Sequence, residues 1–154
     1  MTDDRIQQLL DRTEITDHKY AYARAADARD AKAMVERFVP DCTAEYSLGQ
    51  VIEGSGPLRI EGREALRDWL GQHLADVVSS SHHLSNVEVT FVGPDTATMR
   101  AHLYSWQRFE QLPDPVDRHS FGRCLDSWVR TPDGWRQSAL GFQLAGAFTS
   151  EVHR

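Results

Sequence analysis

Two side chains in the sequence, Asp27 and His83, are of types that move protons in enzymes. Asp27 lies near the end of the first predicted helix, where the helix dipole disfavours a negative charge. Such a carboxylate requires a compensating partner, exposure to water or a chemical function. His83 shares a predicted strand face with apolar residues, where a histidine is either a hydrogen-bonded core residue or a base. Each residue alone is also compatible with a purely structural role.

The sequence lacks the motifs of a metal site, of a phosphate-binding loop and of a cysteine nucleophile. Adjacent strand residues point to opposite faces, so the doublet His82-His83 does not form a metal pair, and no Cys/His cluster accompanies it. The glycines of residues 54–56 lack the strand–loop–helix context of a phosphate-binding loop. Cys124 has no neighbouring group that would mark a low-pKa nucleophile. We therefore expect no metal and no cofactor.

Composition limits the protein class. The chain has 154 residues and a net charge of −6, with 40% apolar and 26% charged residues, which predicts a single domain with one core. The acidic balance argues against a nucleic-acid partner, and no run approaches the length of a membrane span. The N-terminus does not resemble a secretory signal. Cys42 and Cys124 are interpreted as reduced thiols, which favours a cytoplasmic location.

The spacing of apolar residues predicts helices first and strands second. Helices are expected over residues 1–28, over residues 30–38 with Asp30 as the cap, and after residue 62. Strands are expected over residues 42–48, 82–92, 96–110, 118–130 and 135–148, with turn signals between the last four. This order predicts an α+β fold with N-terminal helices packed on a curved, mostly antiparallel sheet that encloses an apolar pocket.

Strand alternation predicts which faces look inward. In the strand over 82–92, His83 is placed with Val87, Val89 and Phe91 on the inner face, and His82 on the outer face. Leu103, Leu140 and Phe142 are expected as pocket walls. The strand over 118–130 is ambiguous, and Asp126 in it is either a second acid or, preferably, a structural partner of Arg136.

The outer face of the second long strand carries aromatic residues flanked by arginines. This row contains His102, Tyr104 and Trp106. Aromatic residues and arginine are enriched in protein interfaces. We therefore expect a homo-oligomer, a dimer or trimer, that uses this side of the sheet.

Four segments together resemble the SnoaL-like branch of the nuclear-transport-factor-2-like superfamily. They are YARAADARDAKAMVERFVPDCTAEY at 22–46, IEGREALRDWL at 60–70, HHLSNVEV at 82–89 and GRCLDSWVRTPDGWR at 122–136. The resemblance covers nearly the whole chain, and the order of elements also agrees. It implies a cone-shaped α+β barrel around a deep, mostly apolar pocket.

The resemblance also implies a site. Dehydratase and dehydrochlorinase members of the family place an Asp near the end of the first helix and a His at the start of the strand after the third helix, which match Asp27 and His83. Asp27 would then orient His83 as a general base. Tyr22 and Tyr46 are the candidate hydrogen-bond donors to the substrate. The remaining predicted substrate-binding residues are Leu103, Cys124, Leu140 and Phe142.

Three functions are compatible with this site. The first is a cofactor-independent lyase, a dehydratase acting on a small hydrophobic cyclic or polyketide-like substrate. The second is an isomerase or cyclase that uses the same base. The third is a non-catalytic module that binds a hydrophobic ligand. The glycine-rich residues 49–56 are a candidate lid over the pocket.

Overall fold

Three helices pack against a six-stranded mixed sheet in the part of the chain that the computed structural model describes, residues 3–47, 56–109 and 115–152. The helices are α1 (Asp3–Asp27), α2 (Ala31–Val35) and α3 (Arg63–Leu74). The strands are β1 (Phe38–Ser47), β2 (Leu58–Glu61), β3 (Val77–Gly93), β4 (Thr96–Phe109), β5 (Val116–Thr131) and β6 (Gly134–Glu151). Their order in the sheet is β2-β1-β6-β5-β4-β3. Strands β1 and β6 are parallel, and the other pairs are antiparallel. The predicted α+β architecture is confirmed.

Helix α1 ends in a hydrogen-bonding pattern that fixes its last residue, Asp27. The amide of Arg29 donates to the Ala26 carbonyl and the amide of Asp30 donates to the Ala25 carbonyl, which is the Schellman motif. Arg29 takes the left-handed conformation at φ 57° that this motif requires. Its guanidinium also donates to the carbonyl of Val78, so the end of α1 is attached to β3.

The first turn of α2 follows directly. The Asp30 carboxylate accepts from the Ala33 amide at 2.9 Å and caps the helix as predicted. The helix is shorter than expected, because it ends at Val35 and the chain enters β1 at Phe38. Pro40 therefore lies inside β1 and does not terminate a helix. The β1–β6 pairing shifts register between Phe38 and Thr43, and such an irregularity accommodates a residue without an amide hydrogen.

Helix α1 buries a different stripe from the one its most apolar residues suggest. Ile6, Leu9, Leu10 and Tyr20 are exposed. The buried stripe has helical spacing and consists of Asp11, Ile15, Lys19, Ala23 and Ala26. The predicted helix is confirmed, and its inner face contains small residues together with two charged ones.

The sheet contains two features that the sequence did not predict. Strand β2 precedes α3, and β3 begins at Val77, so the serine run 79–81 belongs to a strand. Ala97, Met99 and Ala101 of β4 are buried, as are Leu140 and Leu144 of β6. The candidate lid lies largely outside the described residues.

Strand β3 contains an irregularity that reverses its faces. Asn86 has φ 53°, and the β3–β4 register shifts between Ser85 and Glu88. This is a β-bulge, which inserts one unpaired residue and changes the alternation beyond it. Leu84 and Val89 therefore both lie inward, although strict alternation would place them on opposite faces. The prediction that His83 faces inward with Val87, Val89 and Phe91 is wrong, because it extended their alternation across the bulge.

The inner face of the sheet and the three helices surround the core and a mostly apolar cavity. The buried core beside α2 and α3 includes Met34, Phe38, Leu66 and Leu70. A second buried cluster, which includes Ile15, Met99, Trp128 and Trp135, fills the space beneath α1. No described helix is long and apolar enough to cross a membrane.

The left-handed conformation of Asn86 can be tested by replacing its side chain. Both Asn86→Gly and Asn86→Ala remove the side-chain contact to His102, but only alanine has a Cβ that conflicts with the left-handed backbone. We expect Asn86→Ala to lower the free energy of unfolding by about 1 kcal/mol more than Asn86→Gly does. Urea denaturation measures the difference. Equal stability of the two variants would contradict the bulge geometry.

Candidate active site

A carboxylate–imidazole pair joins the end of α1 to β3. His82 Nδ1 lies 2.6 Å from Asp27 Oδ1, and the His82 amide donates to Asp27 Oδ2 at 3.2 Å. Ser80 Oγ donates to Asp27 Oδ1 at 3.2 Å. Because an ionised carboxylate only accepts hydrogen bonds, the His82 proton is on Nδ1 and Nε2 is the free acceptor. The arrangement orients the imidazole as a base.

The expected pairing of Asp27 with His83 is wrong, because Asp27 contacts His82. The side chain of His83 lies on the outer face, with Nε2 2.8 Å from Ser81 Oγ and its ring centroid 5.7 Å from that of Tyr104. The physical reason is the bulge at Asn86. Between His82 and Leu84 the alternation places even-numbered residues inward, and His82 lines the cavity.

The cavity beside His82 has a volume of about 280 Å³ and is mostly apolar. This is close to the lower end of the range for small-molecule sites, about 300–1,000 Å³. All six predicted substrate-binding residues line it: Tyr22, Tyr46, Leu103, Cys124, Leu140 and Phe142. A Cβ at Gly122 would lie 2.4 Å from the Phe142 ring, so only glycine lets this ring pack against β5.

Polar residues at or beside the cavity lining follow two neighbouring rows across the sheet, and all of them except Ser80 line the cavity. In one row His82 is paired with Ser105, and Ser105 with Ser120. In the next row Ser80 is paired with Gln107, and Gln107 with Arg118. Ser105 and Gln107 are buried. One group of polar side chains on the sheet is therefore concentrated around His82, and the row of Leu103 and Gly122 beside it is apolar.

An ion pair lies at the inner end of the cavity. Lys19 Nζ is 2.7 Å from Asp126 Oδ2, with the two side chains 4% and 0% exposed. Asp126 Oδ1 also accepts from the Gly141 amide at 3.3 Å. Burial alone would lower the pKa of Lys19, but the Asp126 carboxylate outweighs this effect and raises that pKa to about 12. The predicted structural pairing of Asp126 with Arg136 is wrong, because Asp126 forms its ion pair with Lys19.

The two predicted donor tyrosines lie beside this ion pair. Lys19 Nζ is 4.9 Å from the centroid of the Tyr22 ring. Burial raises the pKa of Tyr22 and, with a contribution from the neighbouring Tyr22 hydroxyl, the pKa of Tyr46. Both hydroxyls therefore keep their protons. The Tyr46 hydroxyl is buried and lies beside the Tyr22 hydroxyl, without a well-formed hydrogen bond to any described residue.

Cys124 is held in its neutral form. Burial raises the pKa of the Cys124 thiol, and Lys19 opposes this shift only in part. The thiol is thus a weakly polar wall residue. Within the described ranges no three His, Cys, Asp or Glu side chains converge as metal ligands do.

Sequence reasoning missed Lys19, His82 and Arg118. Lys19 had a detectable signal, since it lies four residues from both Ile15 and Ala23 on one helix face. Arg118 alternates with Ser120 and Cys124 on the inner face of β5. The sequence did not show which face was the inner one, because both faces of that strand carry apolar residues.

The buried ion pair can be tested by breaking it in two ways. Lys19→Met leaves the Asp126 carboxylate buried without its cation, which we expect to lower the free energy of unfolding by about 3–5 kcal/mol. The double variant Lys19→Met/Asp126→Asn leaves no buried charge and keeps an acceptor for the Gly141 amide, so it should be more stable than Lys19→Met. Urea denaturation gives both values. Arg59→Gln is the control, because the Arg59–Glu61 pair is exposed and contributes little. A double variant no more stable than Lys19→Met would contradict the ion pair.

Solved structures of several other proteins share this architecture. A protein of Novosphingobium aromaticivorans, provisionally named a scytalone dehydratase, aligns with TM-score 0.78 and 21% identity over 99% of this chain and 94% of its own. A hexachlorocyclohexane dehydrochlorinase from Novosphingobium barchaimii aligns with TM-score 0.78 and 15% identity over 97% of both chains. An NTF2-like protein with a cystatin-like fold, also from Novosphingobium aromaticivorans, aligns with TM-score 0.64 and 28% identity over 92% of this chain and 86% of its own. These likenesses establish the fold.

Sequence comparison agrees. An uncharacterised protein of Mycobacterium tuberculosis is 30% identical over 135 residues, which cover 85% of this chain and 83% of that protein. The family model of the SnoaL-like domain matches residues 7–140. The chain therefore belongs to the SnoaL-like domain family, as its sequence motifs indicated.

Proposed function

We propose that the protein is a cofactor-independent lyase that removes water from a small hydrophobic cyclic or polyketide-like substrate. The observation that carries the proposal is the Asp27–His82 hydrogen bond at the polar side of an apolar cavity. A base of this kind contributes roughly 10²–10⁴-fold to proton abstraction. The names of the structural neighbours, a dehydratase and a dehydrochlorinase, describe eliminations and support this choice.

The proposed reaction begins with proton transfer from a substrate carbon to His82 Nε2. The electron pair of the broken C–H bond forms the new double bond, and the neighbouring C–O bond breaks. The departing oxygen takes the proton from the imidazolium and leaves as water, so that the neutral imidazole is restored. Asp27 stabilises the imidazolium during the step, since an adjacent carboxylate favours the charged ring.

The tyrosines of the inner end would assist by hydrogen bonding. Tyr22 and Tyr46 keep their protons because burial raises their pKa values. A protonated hydroxyl can donate to an oxygen on which negative charge develops, and such donors act most strongly in a cavity that excludes water. The neighbouring Lys19 ammonium favours the same charge distribution.

An isomerase or cyclase would use the same base without losing water. The cavity does not distinguish these reactions, because all of them begin with proton abstraction by His82. The mass of the product distinguishes elimination from isomerisation.

We also propose that the outer face of the sheet forms a homo-oligomer interface. Tyr104 contacts the rings of His83, His119 and Phe121 on this face, and Phe148 packs on His119. Phe121 is 44% and Phe148 53% exposed. An exposed aromatic cluster of this kind is typical of protein interfaces.

The adjacent histidines provide a matched test of the proposed base. His82→Ala removes the base and should lower turnover by about 10²–10⁴-fold, whereas His83→Ala removes an outer-face side chain and should leave turnover unchanged. Asp27→Asn, which loses the charge, should behave like His82→Ala. Extracts of the source organism are incubated with each protein and compared by untargeted mass spectrometry.

The expected result is a component that wild type and His83→Ala deplete, with a product lighter by one water. A product of unchanged mass would favour the isomerase or cyclase instead. Full activity of His82→Ala would disprove the assigned base. The absence of any change caused by wild type would favour a ligand-binding module.

The interface prediction has a separate measurement. Tyr104→Ala and Trp106→Ala should shift the mass measured by size-exclusion chromatography with light scattering toward the monomer, because they remove aromatic surface from the outer face. Leu58→Ala, a change of an exposed residue on β2, is the control. An unchanged mass in both aromatic variants would argue against this interface.

A further inference from the structure

The lining of the cavity has an unusual charge composition for an acidic chain. The protein carries a net charge of −6, yet none of the described lining residues is Asp or Glu. Two lining residues are permanent cations, Lys19 and Arg118. Lys19 is neutralised by Asp126 at 2.7 Å. Arg118 is the lining cation whose charge is not balanced within the cavity.

Arg118 lies at the exposed end of the cavity on the inner face of β5. It is paired with Gln107 in the same row as Ser80, and its side chain is exposed to solvent. Its guanidinium carbon is 6.0 Å from the centroid of the Phe109 ring, and it makes no ion pair with any described residue. This aromatic contact supports the guanidinium at the rim.

His73 lies at the same rim of the cavity as Arg118. Its ring stacks on Trp69, with centroids 4.9 Å apart and an angle of 11°. Burial lowers the pKa of His73, and the positive charge of Arg118 lowers it further. The two groups therefore act on each other across the lining, one from α3 and one from β5. His73 is therefore held neutral, and Arg118 provides the positive charge at this rim.

We propose that Arg118 binds the carboxylate of an otherwise apolar ligand, so that the substrate is a hydrophobic monocarboxylic acid. The planar guanidinium matches a carboxylate with two parallel hydrogen bonds. The apolar body of the acid would then occupy the walls formed by Leu103, Leu140 and Phe142. This inference rests on the proposed function only in taking the same cavity as the substrate site.

The position of Arg118 relative to His82 gives the anion a role in orientation. Their rows are adjacent along the strands, about 7 Å apart, and their strands are separated by β4, so their backbones are about 12 Å apart. A carboxylate held at the rim by Arg118 would therefore leave the apolar body of the acid to extend along the cavity toward His82.

Binding can be measured without knowledge of the natural substrate. The probes are 2-naphthoate and 2-naphthamide, which have the same ring system and differ in charge. We expect isothermal titration calorimetry to show that wild type binds the naphthoate about tenfold more tightly than the amide, since a charge-assisted pair contributes about 1.4 kcal/mol or more. In Arg118→Gln the ratio should fall to about one, with the affinity for the amide unchanged.

Two variants serve as controls. Arg118→Lys keeps a cation and should retain part of the preference. Arg123→Gln removes an arginine of the same strand from the outer face and should retain all of it. A wild-type ratio near one, an unchanged ratio in Arg118→Gln, or the failure of wild type to bind either probe would overturn the proposal. The binding ratio does not depend on turnover, so it separates a failure of this inference from a failure of His82 as the base.

Discussion

The hydrogen bond between Asp27 and His82 is the constraint around which the candidate site is organised, because it joins the last residue of α1 to the strand that forms one edge of the sheet. The helix end is held independently by the Schellman motif and by the bond from Arg29 to the Val78 carbonyl. Asp27 thus has little freedom to turn away. The imidazole orientation is consequently a property of how α1 packs on β3, which is also what closes the cavity.

A carboxylate at a helix C-terminus is unfavourable in the helix dipole, and the structure shows how this cost is offset. Asp27 accepts from the His82 ring, from the His82 amide and from Ser80. These three donors all belong to β3, and two of them depend on the even-numbered residues facing inward. The bulge at Asn86 permits this while Val89 also remains in the core.

The sequence indicated the fold well, because the change from helical to alternating apolar spacing is a local property. The long strands, the Asp30 cap and the wall residues Leu140 and Phe142 followed from it. The face of His82 could not be predicted this way, since one left-handed residue, Asn86, inverts the alternation. Asparagine tolerates that conformation, but it also occurs in ordinary strands, so its presence was a weak signal.

Contacts between residues far apart in the sequence were the other feature that the sequence pattern could not predict. Asp126 is 107 positions from Lys19, and alternation cannot select Lys19 over Arg136 as its partner; packing of α1 across β5 decides this. The same packing explains why a lysine, Lys19, lies on a buried helix face, since the other residues of that face are largely small and apolar. A buried ion pair rarely increases stability relative to apolar residues. Its retention beside Tyr22 is more consistent with a role in the electrostatics of the cavity than in folding.

The polarity of the cavity changes along its length, and this order has a consequence for any ligand. The inner end contains a neutralised ion pair and protonated tyrosines, the middle is apolar, and the exposed end carries Arg118. The Asp27 carboxylate lies behind His82 and does not line the cavity, so the base presents an imidazole to the ligand. A cation would therefore meet no lining carboxylate in the described residues, whereas an apolar molecule with one anionic group would find a complementary site in one orientation. That orientation directs its apolar body along the cavity toward His82, where proton transfer is proposed.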